Sequence, residues 1–263
     1  MRGTPISGST GWCAAVVAVL ASALLGWPAH AAGVKQLPVG TRADYQLGGN
    51  RSVPNAVGIV ARDRSAKPVA GKYNICYVNG FQTQPDETAL WKKHPSLVLR
   101  KNGKPVVDEA WGEQLLDTRT VTRRTKIAAI VGRWITGCAQ SGFDAVEFDN
   151  LDSFTRSKGL IRAAENKAMA KQLVARAHRA GLAAGQKNWS DWDGRSVGYD
   201  FAVAEECGRY DECGSYAENY GRRVLVIEYR RADFEKTCGA WGSALSVVLR
   251  DRDLSSTGTR AWC

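Results

Sequence analysis

Short, continuous apolar runs recur along the chain between polar or helical segments, and this alternation constrains its fold more than any other feature. Continuous rather than alternating runs are typical of strands that are covered on both faces. The runs are 57–60, 73–78, 145–148, 182–184, 201–204, 224–227 and 245–249, with weaker candidates at 45–47 and 97–99. Strands that alternate with helices pair in parallel. We therefore predict an α/β fold, a single-domain (β/α)8 TIM-like barrel, with an open doubly wound sheet as the alternative.

Two segments show helical periodicity. From Ile127 to Cys138 the apolar residues recur in steps of three and four, and Gly142 is a candidate helix end. A second helix is predicted over 162–180 and ends at Gly181. Its expected apolar stripe consists of Ala164, Ala168, Leu173, Ala177 and Ala180. Helices with such small side chains suit close packing on a sheet.

The N-terminus has the features of a secretory signal peptide. Arg2 precedes an apolar run over 12–27, and Ala29-His30-Ala31 offers small residues for cleavage after Ala31. The run is short for crossing ~30 Å of hydrocarbon as an anchor. We predict residues 1–31 as signal peptide and 32–263 as the mature domain. The protein is therefore expected to be secreted, with no membrane partner after cleavage.

Cysteine usage is consistent with export. Of seven cysteines one, Cys13, lies in the predicted signal peptide, which leaves an even set of six. Such a set in an exported chain indicates up to three disulfides, and six cysteines allow about fifteen connectivities. The short loop favours Cys207–Cys213. The other two pairs are guesses, taken as Cys76–Cys138 and Cys238–Cys263.

Composition and motifs argue against several other functions. The formal net charge is +10, but the basic residues are scattered instead of forming the stripe that nucleic-acid binding needs. No GxGxxG, GxxxxGKS, GxSxG or HExxH motif occurs. No CxxC occurs, and His94 and His178 are isolated, so neither a metal nor a cofactor is expected. We also expect a monomer.

Four strands share one register. Each is preceded by a glycine, and a polar residue follows that glycine by seven positions: Gly142 with Asp149, Gly181 with Asn188, Gly198 with Glu205, and Gly221 with Glu228. In a parallel barrel the C-terminal ends of all strands open onto one face, where barrel enzymes hold their active sites. The register therefore predicts a polar ring at the barrel mouth.

The alternation of side chains along a strand predicts which acids point into the barrel. Glu147 and Asp149 are predicted to point into the barrel, with Lys187 available to neutralise them. Glu205 is predicted to point inward, with Glu206 turned away or at the rim. Hydrolysis of a glycoside uses two carboxyls that flank the bond. One strand separates those of Asp149 and Glu205, so their backbones would lie about 10 Å apart. This separation admits both retaining and inverting hydrolysis, and a structural ion-pair network is the alternative interpretation.

Long segments of the chain are similar to glycoside hydrolase family 114, whose barrel members include endo-α-1,4-polygalactosaminidases. The similar segments are YNICYVNGFQTQ (73–84), VVDEAWGEQLLD (106–117), GFDAVEFDNLDSF (142–154), GQKN (185–188), DFAVAEECGRYDECG (200–214) and VLVIEYR (224–230). They extend over nearly all of the predicted mature domain. The resemblance implies a (β/α)8 barrel that acts on a polymer of α-1,4-linked galactosamine. Together with the predicted signal peptide, it predicts a secreted endo-glycosidase that acts on an extracellular polysaccharide.

The resemblance also implies site residues. Asp149 would be the nucleophile or base and Glu205 the acid. The expected substrate-binding residues are Glu147, Asn150, Asp152, Lys187, Asn188, Glu206, Glu228, Asn79, Asp108 and Trp111. The acidic motif of the family is often D-x-D-N, but this chain has Glu147 at the first position, and we expect its longer side chain to narrow the pocket.

Two other functions remain open at this stage. A non-hydrolytic barrel could bind exopolysaccharide without cleaving it, and a structural envelope protein could use the acids only in ion pairs. A partly deacetylated galactosamine polymer is cationic, as this protein is, so only a locally acidic mouth would attract it.

Overall fold

The computed structural model describes residues 1–4 and 33–263. The chain divides into Met1–His30 and Ala31–Cys263, and the barrel belongs to the second unit. The predicted signal peptide lies almost entirely outside the described residues. Within the described part, no helix is both long enough and apolar enough to cross a bilayer.

Nine strands form one sheet, in which they follow one another in chain order. They are β1 (Arg42–Gln46), β2 (Val57–Asp63), β3 (Tyr73–Asn79), β4 (Ala145–Asp149), β5 (Ala183–Lys187), β6 (Phe201–Glu205), β7 (Val224–Glu228), β8 (Ser246–Arg250) and β9 (Arg260–Trp262). Strands β1 to β8 pair in parallel, and β9 pairs antiparallel with β8. Because β8 also approaches β1, the sheet curls into a nearly closed barrel. The predicted TIM-like fold is confirmed.

The prediction of a weak candidate strand at 97–99 is wrong. Pro95–Leu97 is a 3-10 helix, and Val98 makes only an isolated bridge to Leu116. This segment belongs to the long β3–β4 connection, which also contains a hairpin with the short strands Val107–Asp108 and Glu113–Gln114. Apolar residues here pack under that connection, which explains the strand-like run.

Helices cover only part of the barrel. They are α1 (Thr88–Lys92), α2 (Val121–Ser141), α3 (Ala163–Arg179), α4 (Cys213–Tyr220) and α5 (Arg231–Trp241). The connections from β1 to β2 and from β2 to β3 contain no helix. Both predicted helices are confirmed as α2 and α3, and α2 ends at Gly142, whose φ of 91° suits glycine.

The buried face of α3 differs from the predicted alanine stripe. Ala164 is exposed, whereas Met169, Ala170 and Val174 are buried. The buried positions still recur in steps of three and four, but the face is rotated. Small side chains alone did not reveal which side of the helix meets the sheet.

Alternate residues of each strand face two different cores. On β4, Ala145 packs inside the barrel, while Val146 and Phe148 pack outside against the helices. On β6, Val203 lies inside and Ala204 outside. This alternation directs Asp149 and Glu205 inward at the ends of their strands, as predicted.

Three disulfides join Cys76 to Cys138, Cys207 to Cys213 and Cys238 to Cys263, which confirms the three pairings. The first ties β3 to α2, the second closes the loop between β6 and α4, and the third fastens the C-terminus to α5.

The seam between β8 and β1 is held by side chains. Asp44 of β1 is fully buried and forms an ion pair with Arg250 of β8 at 3.2 Å and another with Arg260 of β9 at 2.6 Å. The Trp262 indole N–H also donates to the Ala43 carbonyl at 2.7 Å. These contacts complete the barrel where the described residues show no β-ladder.

Candidate active site

A cavity of about 500 Å³ opens at the C-terminal ends of the strands. Its lining includes Asp149 and Glu205, together with Asn150, Asp152, Lys187, Asn188, Asp108 and Trp111. Eight of the twelve residues predicted for the site therefore border one cavity. The ends of β4, β5 and β6 form its floor, and the 107–114 hairpin forms part of its wall.

Asp149 is held by three donors. The Tyr77 hydroxyl donates to Oδ2 at 2.7 Å, the Asn150 backbone N–H donates to Oδ1 at 2.8 Å, and Lys187 Nζ lies 3.5 Å from Oδ1. Burial raises the pKa of Asp149, but the Lys187 charge and the hydrogen bonds from Tyr77 and Asn150 outweigh it and hold the pKa below its usual value. Asp149 is thus ionised at neutral pH, as a nucleophile or base must be.

Glu205 has a matching set of partners. The Tyr229 hydroxyl donates to Oε1, and the Asn188 amide donates to Oε2 at 3.3 Å. Asn188 also accepts the Glu205 backbone N–H at 2.9 Å, so it holds this residue at both ends. Each of the two acids therefore has one tyrosine of its own.

Lys187 lies between the two acids. Its ammonium is 3.5 Å from Asp149 Oδ1 and 3.3 Å from Glu205 Oε2, and it donates to the Tyr45 hydroxyl at 3.0 Å. Burial lowers the pKa of Lys187, but the nearby carboxylates outweigh this effect and raise the pKa well above its ordinary value. Because both oxygens lie within reach of one nitrogen, they are at most roughly 7 Å apart, close enough to flank one glycosidic bond.

Two asparagines shape the ends of β4 and β5. Asn150 and Asn188 have φ values of 61° and 56°, in the left-handed region that asparagine tolerates better than most residues. The turn after Asp149 aims the Asn150 N–H at the carboxylate, and the turn after Lys187 brings the Asn188 amide to Glu205. A short side chain with an amide is what this geometry requires.

Glu147 does not line the cavity, so the expectation that it narrows the pocket is wrong. It lies two residues before Asp149 on the same face of β4, about 7 Å deeper in the barrel. Its side chain is fully buried, and neither carboxylate oxygen has a hydrogen-bond partner within the described residues. Burial raises the pKa of Glu147 to about 8, although the Lys187 charge opposes this rise. At neutral pH it is a neutral acid.

The prediction that Glu228 faces the mouth is wrong. The inward residues of β7 are Leu225 and Ile227, so Glu228 points to the helical layer. There it accepts the Gly208 N–H at 2.7 Å. The next inward residue is Tyr229. The glycine register therefore selected a residue one position too early.

Two further predicted residues stand behind the cavity. Glu206 forms ion pairs with Arg209 and Arg252, both at 2.7 Å, so it braces the rim without lining it. Asn79 is buried and donates to Glu113 Oε2 at 2.9 Å. Both therefore support residues that do border the cavity.

The lining residues that the sequence analysis missed include Tyr77, Glu113, Arg156 and Tyr229. Alternation along β3 and β7 could have identified the two tyrosines, since Tyr77 follows inward-facing Ile75 and Tyr229 follows inward-facing Ile227. Glu113 and Arg156 lie on connections, where no periodicity exists to reveal them.

The cavity is acidic although the protein is basic. Seven carboxylates and three cations line it: Asp63, Asp108, Glu113, Asp149, Asp152, Glu205 and Asp253 against Arg156, Lys187 and Arg252. The chain as a whole carries a formal charge of +10. An acidic mouth was expected, but Asp63, Asp108, Glu113 and Asp253 contribute to it in place of Glu147, Glu206 and Glu228.

Trp111 supplies an apolar plane on the wall of this cavity. It lies at the tip of the 107–114 hairpin, and 58% of its surface is exposed. A large aromatic side chain left exposed beside polar groups suits the face of a sugar ring.

One group of side chains has the composition of a metal site. Cys207, Cys213 and Glu228 lie within ligand distance of one another. The two sulfurs are joined in a disulfide, so neither is a thiolate available to bind a metal.

Comparisons with known proteins agree with this geometry. The sequence model described as glycoside-hydrolase family GH114 matches residues 27–263. The structure of Aspergillus fumigatus Ega3 in complex with galactosamine is similar at 21% identity and a TM-score of 0.70, over 88% of this chain and 98% of that one. The glycoside hydrolase domain of PelA from Pseudomonas aeruginosa is similar at 15% identity and a TM-score of 0.59, over 83% of this chain and 97% of that one. Both likenesses show the shared barrel fold. Among curated proteins, none matches the chain.

Proposed function

Because the chain belongs to glycoside hydrolase family GH114, we propose that it is a secreted endo-glycosidase that hydrolyses α-1,4-galactosaminidic linkages in an extracellular polysaccharide. The observation that carries this proposal is the pair Asp149 and Glu205, which face each other across Lys187 at the open end of the barrel.

The chemistry assigns different roles to the two acids. Asp149 keeps its negative charge, so it attacks the anomeric carbon or activates the water that does. Glu205 protonates the leaving oxygen, because the remaining carboxyl of the pair must supply that proton. Tyr229 and Asn188 hold Glu205 in position for this transfer. Lys187 stabilises the negative charge that Asp149 needs for its role.

The proposed substrate follows from charge and from similarity. An acidic cavity in a basic protein favours a cationic sugar once that sugar is inside the cavity. The Ega3 structure was solved with galactosamine. Three disulfides suit an oxidising compartment, which supports secretion.

Incubation of residues 32–263 with a partly deacetylated α-1,4-galactosamine polymer tests the proposal. The wild-type protein should release oligosaccharides of several lengths, as endo cleavage does. Asp149→Asn and Glu205→Gln should each lower the rate by about 100-fold or more, because each removes one member of the pair. Mass spectrometry of the products measures the effect.

Glu218→Gln is the matched control, because Glu218 is exposed on α4 and does not border the cavity. It should cleave at the wild-type rate. A wild-type protein that binds the polymer but releases no product would contradict the proposal and favour a non-hydrolytic binder of exopolysaccharide. Full activity in either acid variant would exclude that residue from the pair.

A further inference from the structure

We infer that Glu113 is a specificity-determining residue that binds the ammonium group of the substrate sugar, so that the enzyme prefers an amino sugar to its N-acetylated counterpart. This inference rests on the proposed function, since it concerns the same cavity, and it adds the residue that distinguishes the two sugars.

Glu113 is fixed by its surroundings. Three side-chain amides donate to its Oε2: Asn79 at 2.9 Å, Gln82 at 3.0 Å and Asn150 at 3.3 Å. The other oxygen, Oε1, makes no hydrogen bond or ion pair within the described residues, and the side chain borders the cavity. One oxygen is thus anchored and the other is available to a ligand.

The position of Glu113 places it beside the reacting sugar. Asn150, which donates to Glu113, directly follows Asp149 and holds that carboxylate through its own backbone N–H. Trp111, on the same hairpin, offers the apolar plane at the wall. A sugar ring over Asp149 would therefore present a ring substituent to Glu113 Oε1.

The other acids of the cavity already have partners on both oxygens or lie on an exposed loop. Asp108 and Asp152 both pair with Arg156, each at 2.9 Å. Asp149 and Glu205 share Lys187. Asp63 accepts hydrogen bonds from Ser65 on Oδ1 and from Gln84 on Oδ2, and Asp253 lies on an exposed loop.

Among the cavity acids that the structure describes, Glu113 alone is partly buried with one oxygen held by side-chain amides and the other without a partner. A bound ammonium would supply that partner, whereas a neutral acetamido group would leave the carboxylate unpaired. Burial raises the pKa of Glu113 to about 7, although hydrogen bonds from Gln82 and Asn79 lower it. Binding of the cation should therefore weaken as the pH falls below 7 and Glu113 takes up a proton.

The test compares Glu113→Gln with the wild-type protein on two oligosaccharides of equal length, one of α-1,4-linked galactosamine and one fully N-acetylated. We expect kcat/KM for the amino oligosaccharide to fall about 10- to 100-fold, as for loss of a hydrogen bond to a charged group. The value for the acetylated oligosaccharide should stay unchanged or rise. Glu113→Asp should recover part of the loss, and the fall in affinity below pH 7 should vanish in Glu113→Gln.

Glu109→Gln is the matched control, since Glu109 is exposed on the same hairpin and does not border the cavity. An equal fall in kcat/KM on both oligosaccharides, or no fall on the amino oligosaccharide, would overturn the inference while leaving the proposed function intact. If the wild-type protein cleaves neither, the proposed function fails.

Calorimetric titration with galactosamine, N-acetylgalactosamine and galactose then decides the inference separately. Preferential binding of galactosamine that disappears in Glu113→Gln supports it. Equal binding of the three sugars, or a preference that persists in Glu113→Gln, refutes it.

Discussion

The two inward-facing acids of β4 owe their charge states to their surroundings. Asp149 stays ionised because Lys187, Tyr77 and the Asn150 amide outweigh its burial. For Glu147, two residues earlier on the same strand face, burial outweighs the opposing Lys187 charge and raises the pKa to about 8, so it stays protonated at neutral pH. The same kind of group thus carries opposite charge states within one strand, because hydrogen-bond donors reach only the outer of the two.

The burial of Glu147 predicts how the free energy of unfolding depends on pH. Glu147 has an ordinary pKa of 4.5 when the chain unfolds and about 8 in the folded state. Between these values the folded protein holds the extra proton, so Glu147 lowers the free energy of unfolding by about 1.4 kcal/mol per pH unit as the pH rises. Glu147→Gln, which mimics the neutral acid, should remove this slope. Between pH 5 and pH 8, the free energy of unfolding of the variant should rise by about 3 kcal/mol relative to that of wild type, as measured by urea denaturation.

Glu109→Gln again serves as the control here, because Glu109 is exposed on the 107–114 hairpin. Identical pH slopes for wild type and Glu147→Gln would mean that Glu147 is ionised in the folded protein.

At the level of elements, two disulfides of this barrel have different consequences. Cys76–Cys138 joins β3 to α2 across 62 residues and lies on the outer side of the barrel. Cys207–Cys213 closes only six residues, but Cys207 is two positions from Glu205. The first therefore bears mainly on folding, and the second on the placement of a reacting carboxyl.

Removing each disulfide should separate these effects. Cys76→Ala with Cys138→Ala should cost about 4 kcal/mol of unfolding free energy and leave kcat near the wild-type value. Cys207→Ala with Cys213→Ala should cost only about 2 kcal/mol, yet lower kcat about tenfold or more. Urea denaturation and polymer hydrolysis at a temperature where both variants are folded measure the two quantities. An unchanged kcat in the Cys207/Cys213 variant would mean that other contacts, such as the hydrogen bond from the Gly208 N–H to Glu228, hold the loop.

For the whole molecule, the seam between β8 and β1 decides whether the barrel closes. Asp44 and Arg250 are both fully buried there, and Arg260 completes the cluster from β9. Removal of one partner leaves the other charge buried without compensation. The free-energy cost of that unpaired charge exceeds the stabilisation that the intact pair provides.

Asp44→Asn should therefore destabilise the protein by about 3–5 kcal/mol in urea denaturation. The matched control is Asp193→Asn, whose partner Arg195 is half exposed, and it should cost less than about 1 kcal/mol. A loss at Asp44 no larger than at Asp193 would mean that the ion pairs do not hold the seam.

Much of this architecture follows from local properties of the chain. Continuous apolar runs predicted all eight barrel strands, and alternation along β4 and β6 placed Asp149 and Glu205 inward. Both signals arise within single strands, where side-chain direction has a period of two whatever the strand packs against. The motifs around the two acids also indicated the family before any fold was known.

The features of the site that depend on contacts between distant segments were decided only by the tertiary structure. The side of β7 that faces inward is set by its pairing with β6, so Tyr229 rather than Glu228 reaches the cavity. Glu113 enters the site from a hairpin between β3 and β4, and Asn79, Gln82 and Asn150 fix it there. Glu147 is protonated because folding removes water from it. Strand direction is a property of a few consecutive residues, whereas register, burial and charge depend on which residues the completed barrel brings together.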